Sequence, residues 1–325
     1  MTISPQQITI AITVFNRRDY IRQAVASALN QSIPVRVIVV EDCGPDPAIR
    51  SMVEGEFGSR IEYLRNPQRR GLFGNWNVCL EACGTEWLSI LHDDDYLTPD
   101  FAASMIGLSQ QAGDCALYYG RTIQVDDLGQ PFSDEALPPV DWTYRRVALT
   151  DALWLTPFPF PGQLMNVTLT KKLGGFRESS YYCGDWEMWA RLIATSGAAQ
   201  SSNLVAYNRC HRGWDRGCNA VLRSGLQFPT SCVQHKRVLA LLRRQGIQEV
   251  FDRKAYLSHH VLPSRFLLSC GPSLKPRLFR YHIGLLLVSK PPHAGYALFQ
   301  QCVRLGGIWF VRWASKVWKL MNARS

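Results

Sequence analysis

Three consecutive aspartates, Asp93, Asp94 and Asp95, follow the apolar segment 87–91, which predicts a buried strand. The carboxyl end of such a strand is where open α/β sheets bind their ligands. Because adjacent carboxylates repel one another, the cluster favours a bound cation, and a hard divalent ion with oxygen ligands suits it. An acidic turn is the alternative, since Asp caps helices and the Thr-Pro pair at 98–99 predicts a helix start. The cluster is a candidate site for Mg²⁺ or Mn²⁺ carrying a diphosphate.

The segments that must position this cluster alternate between strand and helix patterns. Strands are predicted at 8–15, 35–40, 61–64 and 87–91, and helices at 17–29 and 74–83. Asn16 is expected to cap the first helix, with Tyr20, Ala24, Val25 and Ala28 on one of its faces. Repeated β-α units of this length predict a parallel, doubly wound sheet with a nucleotide lying across the strand ends.

From position 116 the pattern loosens. Further strands are predicted at 117–125, 162–170 and 203–209, with a helix from Asp185 to about 196. The Pro- and aromatic-rich segment 131–161 predicts a lid or substrate loop.

The net charge of +10 is unevenly distributed. No Asp or Glu follows Asp252, whereas residues 253–325 contain twelve of the 36 Lys and Arg side chains. This asymmetry predicts an anionic partner. The last predicted helix, 303–321, sets basic residues beside Trp309 and Trp313, as in helices that lie on a membrane surface. A core helix is the alternative, and nucleic acid is not expected because no binding module is recognisable.

The ten cysteines include no CxxC pair, which disfavours zinc and, with their apolar surroundings, favours a reducing compartment. The first residues lack a signal-peptide pattern, and no apolar run approaches the roughly 18 residues needed to span a bilayer. We therefore expect a cytoplasmic protein that is peripheral on the inner face of the cell membrane.

Six short motifs in order resemble those of the family 2 glycosyltransferases. They lie at Thr13–Arg17, Ala28–Gln31, Val39–Asp42, Leu91–Asp95, Gly174–Phe176 with Asp185–Arg191, and Tyr207–His211. The resemblance covers roughly residues 8–215. It implies the α/β GT-A fold, a doubly wound mixed sheet, with a helical, basic extension after it. It also implies an inverting, metal-dependent enzyme that moves a sugar from a nucleotide-diphosphate donor to a glycan or lipid-linked acceptor.

The resemblance assigns roles to individual residues. The general base is Asp185, for which a helix N-cap is the alternative. The metal is held by Asp94, Asp95 and His211, although His211 is equally compatible with a structural role, and a diphosphate contact is another alternative for it. Contacts to the nucleotide are expected from a further set: Phe15, Asn16, Asp42 and Asp93. Arg69 and Arg70 either face the phosphates or form a solvated basic loop.

The sequence departs from the family pattern at three positions. His92 stands where many members have the first acid of the metal motif, Glu41 replaces an Asp, and Gly184 replaces the Glu before the base. The metal-facing pair is therefore either Asp93 with Asp95 or Asp94 with Asp95.

The predicted organisation is a catalytic domain at 1–215, with a nucleotide half at about 1–115 and an acceptor half at 116–215, and an extension at 216–325. A sugar nucleotidyltransferase is one alternative, but it requires a Gly-rich loop after the first strand, and residues 16–19 contain no glycine. A non-catalytic, membrane-bound scaffold is the other, and the retained acids disfavour it.

Overall fold

The computed structural model describes residues 2–132, 137, 139–153, 156–211 and 227–247. The predicted helix at 303–321 and the domain boundary at 215 lie outside these residues. Residues 1–212 and 230–248 belong to one compact unit.

Among the described residues, nine strands form a single sheet: β1 (Ile8–Val14), β2 (Arg36–Glu41), β3 (Glu62–Arg65), β4 (Trp87–His92), β5 (Tyr96–Leu97), β6 (Leu117–Val125), β7 (Tyr144–Val147), β8 (Gln163–Asn166) and β9 (Ala198–Arg209). The described helices are α1 (Arg18–Leu29), α2 (Ala48–Phe57), α3 (Gly71–Ala82), α4 (Phe101–Ala112), α5 (Val167–Lys172), α6 (Gly184–Ser196) and α7 (Gln227–Arg244). Within these residues, no helix combines the length and the apolar character needed to cross a bilayer.

The first half of the sheet is parallel, as predicted. Its order is β3-β2-β1-β4, and all three pairings are parallel. The register sets Val14 opposite Glu41 and Thr13 opposite His92, so these strands end at one edge. The loops that follow β1, β2 and β4 therefore meet there.

The second half makes the sheet mixed. From β4 the order continues through β8, β6, β9 and β5, and β7 pairs with β9. The β4–β8, β8–β6, β9–β5 and β9–β7 pairings are antiparallel, whereas β6–β9 is parallel. The expected α/β class with a doubly wound, mixed sheet is confirmed.

Helices cover both faces of this sheet. Alternate residues of β1 point to opposite sides: Ile10 and Ile12 join the cluster that includes α1, α2 and α4, and Ala11 joins the cluster that includes α3, α6 and α7. Burial on both faces explains why β1 is a continuous apolar run. The α7 helix lies within the predicted extension, yet its Val238 and Leu242 are part of this core.

Several boundaries differ from the predictions. The strand predicted at 162–170 ends at Asn166, whose side chain accepts a hydrogen bond from Leu169 N and so caps α5. The cap predicted for Asn16 is wrong, because Arg17 holds the N-cap position without a side-chain bond. Tyr20 is only half-buried. The predicted lid segment contains a strand, β7, and β9 begins five residues earlier than expected.

Candidate active site

The three aspartates lie at the carboxyl end of β4 and are all buried. The Arg17 guanidinium, from the loop after β1, lies between two of them: its Nη1 is 3.2 Å from Asp93 Oδ1 and also donates to Asp94 Oδ2. Phe15 N lies 3.5 Å from Asp93 Oδ2. The charge repulsion inside the cluster is thus relieved by a cation of the chain itself, which sequence reasoning missed although Arg17 lies within the first motif.

His211 is brought beside Asp94, as expected for a shared site. Its Nε2 lies 2.9 Å from Asp94 Oδ2, and its Nδ1 lies 2.6 Å from Asp127 Oδ1. The hydrogen bond to Asp94 raises the pKa of His211 against the opposing effect of burial, and the bond to Asp127 adds to the increase. Tyr20 contributes a longer contact, 3.4 Å from its hydroxyl to Asp127 Oδ1. Asp127 follows β6 in an ordinary turn sequence, so no motif marked it.

Arg209, the last residue of β9, also forms hydrogen bonds with the cluster. Its backbone N–H donates to Asp95 Oδ1 at 2.8 Å, and its Nε donates to the Asp94 carbonyl at 2.9 Å. Its Nη1 donates to the carbonyls of Asp126 and Asp127 at 2.8 and 2.9 Å. The guanidinium also lies 4.5 Å from the centre of the Tyr20 ring. This buried arginine therefore ties β9 to the acidic loop and to the turn that orients His211.

The three carboxylates differ in their affinity for protons. Burial, with the charge of Asp94, raises the pKa of Asp93 to about 7 and that of Asp95 well above its ordinary value. Burial acts in the same direction on Asp94, but the His211 hydrogen bond and the Arg17 charge outweigh it and lower the Asp94 pKa. Asp94 is thus the member that stays ionised most readily when no metal is present.

The donor set fits a divalent cation. Ligand atoms of His92, Asp94 and Asp95 lie within 4.8 Å of one another. Within the described chain, the buried Asp95 Oδ2 has no hydrogen-bond partner, so one carboxylate oxygen is left for an ion. The structure brings together the predicted Asp94 and Asp95 and adds His92, while His211 reaches the group through Asp94.

Asp42 follows β2, and its carboxylate accepts hydrogen bonds from backbone N–H groups at the start of α3. Its Oδ1 accepts from Arg70 N at 2.6 Å and from Asn66 Nδ2 at 3.1 Å, and its Oδ2 accepts from Gly71 N at 2.9 Å. The departure at Glu41 has a structural reason: its buried carboxylate accepts from Tyr63 at 2.8 Å and pairs with Arg65. The nucleotide contact expected of Asp42 stays a prediction.

The other residues expected to contact a nucleotide lie at the same edge. Phe15 is half-buried, and the Arg69 guanidinium lies 4.3 Å from its ring centre. Asn16 is exposed in the loop between β1 and α1. A ring and a guanidinium therefore line the edge where β1 and β2 end, and Arg69 remains exposed while it stacks on Phe15.

Asp185 lies in the first turn of α6, not at its N-cap, which is Cys183. Its Oδ1 accepts from Trp186 N at 2.7 Å, and burial raises its pKa to about 6. The departure at Gly184 follows from packing, because a Cβ there would lie 2.2 Å from the Phe73 ring. A raised pKa in a half-buried carboxylate suits a group that accepts a proton near neutral pH.

Aromatic packing links α6 to the strand that bears the acids. The Trp189 ring centre lies 6.0 Å from that of Phe160, which lies 4.3 Å from that of His92. On the same helix, Arg191 donates to the carbonyls of Leu173 and Gly175 at 2.6 and 2.8 Å. The Trp and Arg of the fifth motif therefore hold the glycine turn and the position of α6.

Comparison with known proteins identifies this arrangement. The family described as "Glycosyl transferase family 2" matches residues 9–165. Chondroitin synthase of Escherichia coli is 26% identical over 209 residues, which is 63% of this chain and 29% of that protein. Succinoglycan biosynthesis protein ExoO of Rhizobium meliloti is 32% identical over 107 residues, 33% of this chain and 30% of that protein. The matched parts thus span less than a third of these two relatives.

The fold also matches a solved structure. S. aureus TarS 1-349, crystallised in complex with UDP-GlcNAc, superimposes with a TM-score of 0.55 at 12% identity, covering 97% of this chain and 92% of that one. At this identity the match establishes the fold, which is the GT-A type expected from the motifs. Residues 9–165, which contain the parallel strands and the acid cluster at their end, therefore match glycosyl transferase family 2.

Proposed function

We propose that the protein is an inverting glycosyltransferase that moves a sugar from a nucleotide-diphosphate donor to a hydroxyl of a lipid-linked or polysaccharide acceptor. The observation that carries the proposal is the convergence of His92, Asp94 and Asp95 at the carboxyl edge of the parallel strands. The E. coli and R. meliloti relatives bear the names of a chondroitin synthase and a succinoglycan biosynthesis protein, which supports a polysaccharide product.

The buried acids and the adjoining loops perform the binding part of the reaction. His92, Asp94 and Asp95 would hold the ion, with His211 bound to Asp94. A divalent ion in such a site stabilises the negative charge that develops on the departing nucleoside diphosphate. Arg17 lies on the same carboxylates and offers a second positive charge to a diphosphate.

Asp185 is proposed as the general base that takes the proton of the acceptor hydroxyl. A carboxylate with a pKa near 6 is ionised at neutral pH and still basic enough to help that transfer. Attack on the face opposite the leaving group inverts the anomeric centre. A product that retains the configuration of the donor sugar would refute this single displacement.

The test of the activity is a panel of nucleotide sugars screened for thermal stabilisation with and without Mn²⁺. We expect at least one nucleotide-diphosphate sugar to raise the melting temperature only when the ion is present. UDP-sugars come first, because the superimposed TarS structure contains UDP-GlcNAc. Equal stabilisation by sugar 1-phosphates with a nucleoside triphosphate would favour the nucleotidyltransferase instead.

We further propose that the basic tail attaches the protein to an anionic membrane surface. The twelve basic residues after position 252 have no acidic neighbours in sequence, and each contributes on the order of 1 kcal/mol near such a surface. Removing residues 303–325 should abolish co-sedimentation with anionic vesicles while activity on a short water-soluble acceptor survives. Full-length protein that ignores anionic vesicles at low salt would refute this attachment.

A further inference from the structure

We infer that His92 is a nitrogen ligand of the cation site and makes it selective for a first-row transition ion, such as Mn²⁺ or Co²⁺, over Mg²⁺. The inference rests on the proposed function, in which Asp94 and Asp95 hold a divalent ion, and it names the class of that ion. His92 occupies the position where the resemblance leads one to expect a carboxylate.

The first argument is the fixed position of the imidazole. His92 is the last residue of β4 and pairs with Thr13 of β1. Its ring is nearly parallel to those of Phe160 and Trp76, with ring centres 4.3 and 5.6 Å away and interplanar angles of 7° and 14°. Since both rings belong to the packed core, the imidazole is held in place beside the acids before any ligand arrives.

The second argument is an incomplete contact between His92 and Asp95. His92 Nδ1 lies 3.7 Å from Asp95 Oδ2, which is too long for a hydrogen bond. The Asp95 side chain is 1% exposed, and within the described residues its Oδ2 and His92 Nε2 have no partner. When the ring proton is on Nε2, the lone pair of Nδ1 faces Asp95 Oδ2. When the proton is on Nδ1, Nε2 is an acceptor without a partner among the described residues. An ion between the ring and the carboxylate would bind Nδ1 and Asp95 Oδ2, the two atoms that face each other in the first tautomer.

The third argument is that the other cations near the cluster are engaged elsewhere. Arg17 bonds Asp93 and Asp94, His211 bonds Asp94 and Asp127, and Arg209 reaches Asp95 through its backbone at the opposite oxygen. None of these described contacts involves Asp95 Oδ2. The gap therefore belongs to the face that His92 shares with Asp95.

The chemistry of the donor set then decides the ion. Mg²⁺ prefers oxygen ligands in near-ideal octahedral geometry, whereas first-row transition ions accept a nitrogen ligand more readily, and their affinity for such sites rises from Mn²⁺ to Co²⁺. Replacing a carboxylate by a neutral imidazole also removes one negative charge. This loss weakens the binding of a hard ion more than the binding of an ion that accepts a nitrogen ligand well. A mixed set of one imidazole and two carboxylates should therefore bind Co²⁺ and Mn²⁺ in preference to Mg²⁺.

The experiment is calorimetric titration of the EDTA-treated full chain with MnCl₂, CoCl₂ and MgCl₂, without nucleotide. We expect Co²⁺ and Mn²⁺ to bind at least about tenfold more tightly than Mg²⁺. His92→Asp should strengthen the binding of Mg²⁺, weaken the binding of Co²⁺ and bring the ratio of their dissociation constants towards one. His92→Gln, which keeps a planar polar side chain, should lose the Co²⁺ preference as well, and pulsed electron paramagnetic resonance of bound Mn²⁺ should show weaker imidazole coupling in both variants.

Glu62→Gln is the matched control, because this exposed carboxylate on β3 pairs with Arg36 of β2 and its loss should leave the ion ranking unchanged. Wild-type protein that binds Mg²⁺ as tightly as Mn²⁺ would overturn the inference, and so would His92 variants that keep the wild-type ranking. Either result would leave His92 as a stacked core histidine. Because no nucleotide is present, the ranking of ion affinities is measured independently of the donor-sugar screen. A failure of that screen would count against the proposed activity and not against the role of His92.

Discussion

The protein has two acidic sites that differ in how their charge is balanced. The cluster at the end of β4 is surrounded by positive or hydrogen-bonding groups, with Arg17, His211 and Arg209 all in contact with it. Asp185, at the start of α6, accepts a hydrogen bond from the adjacent Trp186 N and has its pKa raised by burial.

The difference indicates a division of labour. A crowded carboxylate cluster with one member of lowered pKa and an orphan oxygen is suited to holding positive charge. A solitary carboxylate with a raised pKa is suited to taking up a proton and giving it back. Changes at the first site should therefore abolish ligand binding, and changes at the second should slow the chemistry while ligands still bind.

The largest effect is expected from Asp94→Asn combined with Asp95→Asn. This variant removes two charges that would hold the ion, so metal-dependent binding of nucleoside diphosphate should become undetectable by calorimetry, although the variant should still fold and unfold cooperatively. Unchanged binding in the double variant, or full transfer activity in excess EDTA, would show that the cluster has another purpose.

Asp185→Asn should lower kcat by roughly 10²–10⁴-fold, the usual contribution of a general base, with little change in donor affinity. Initial rates at saturating donor measure this, and calorimetry measures the affinity. Glu178→Gln is the control, an exposed carboxylate in the preceding segment that should have no effect. Loss of donor binding in the Asp185 variant would remove the contrast between the two sites.

The pH dependence of the wild-type enzyme sharpens the same contrast. Only the ionised Asp185 accepts a proton, so below about pH 6 kcat should fall by about tenfold per pH unit, and above that it should level off. The profile is recorded at saturating metal and donor, where the carboxylates of the cluster are bound. A rate that stays constant down to pH 5 would assign the base to a group of lower pKa.

The smallest effect is expected at Arg17, whose guanidinium is the internal cation of the first site. Arg17→Ala should lower the melting temperature of metal-free protein by roughly 3–8 °C, because a partly exposed ion pair is broken. The stabilisation gained from Mn²⁺ should increase, since Arg17 no longer competes for Asp94. Arg18→Ala, one residue away and exposed, is the control. An unchanged response to Mn²⁺ would show that Arg17 and the ion do not share Asp94.

The strands of the parallel half could be predicted because their signals are local. β1, β2 and β4 are buried and mostly apolar, and β2 and β4 end at the polar residues Glu41 and His92. The segment 162–170 contains the end of a strand and the start of a helix, although its pattern predicts one strand. The β-branched residues after Asn166 favour a strand and hide the N-cap that starts α5. β7 lies in a Pro-rich segment and depends on pairing with β9, so its pattern alone did not reveal it.

The sequence by itself indicated the candidate residues: three acids at a strand end, an acid at a helix start, and a histidine after β9, in the order typical of family 2. Tertiary structure alone decided their partners. Arg17 and His211 reach Asp94 across 77 and 117 positions, and Asp127 lies 84 positions from His211. Such pairings exist only after the sheet order brings several strand ends to one edge, because an isolated strand does not specify its neighbours. The sequence therefore marked the carboxylates, and the fold decided which cations neutralise them and which oxygen is left for an ion.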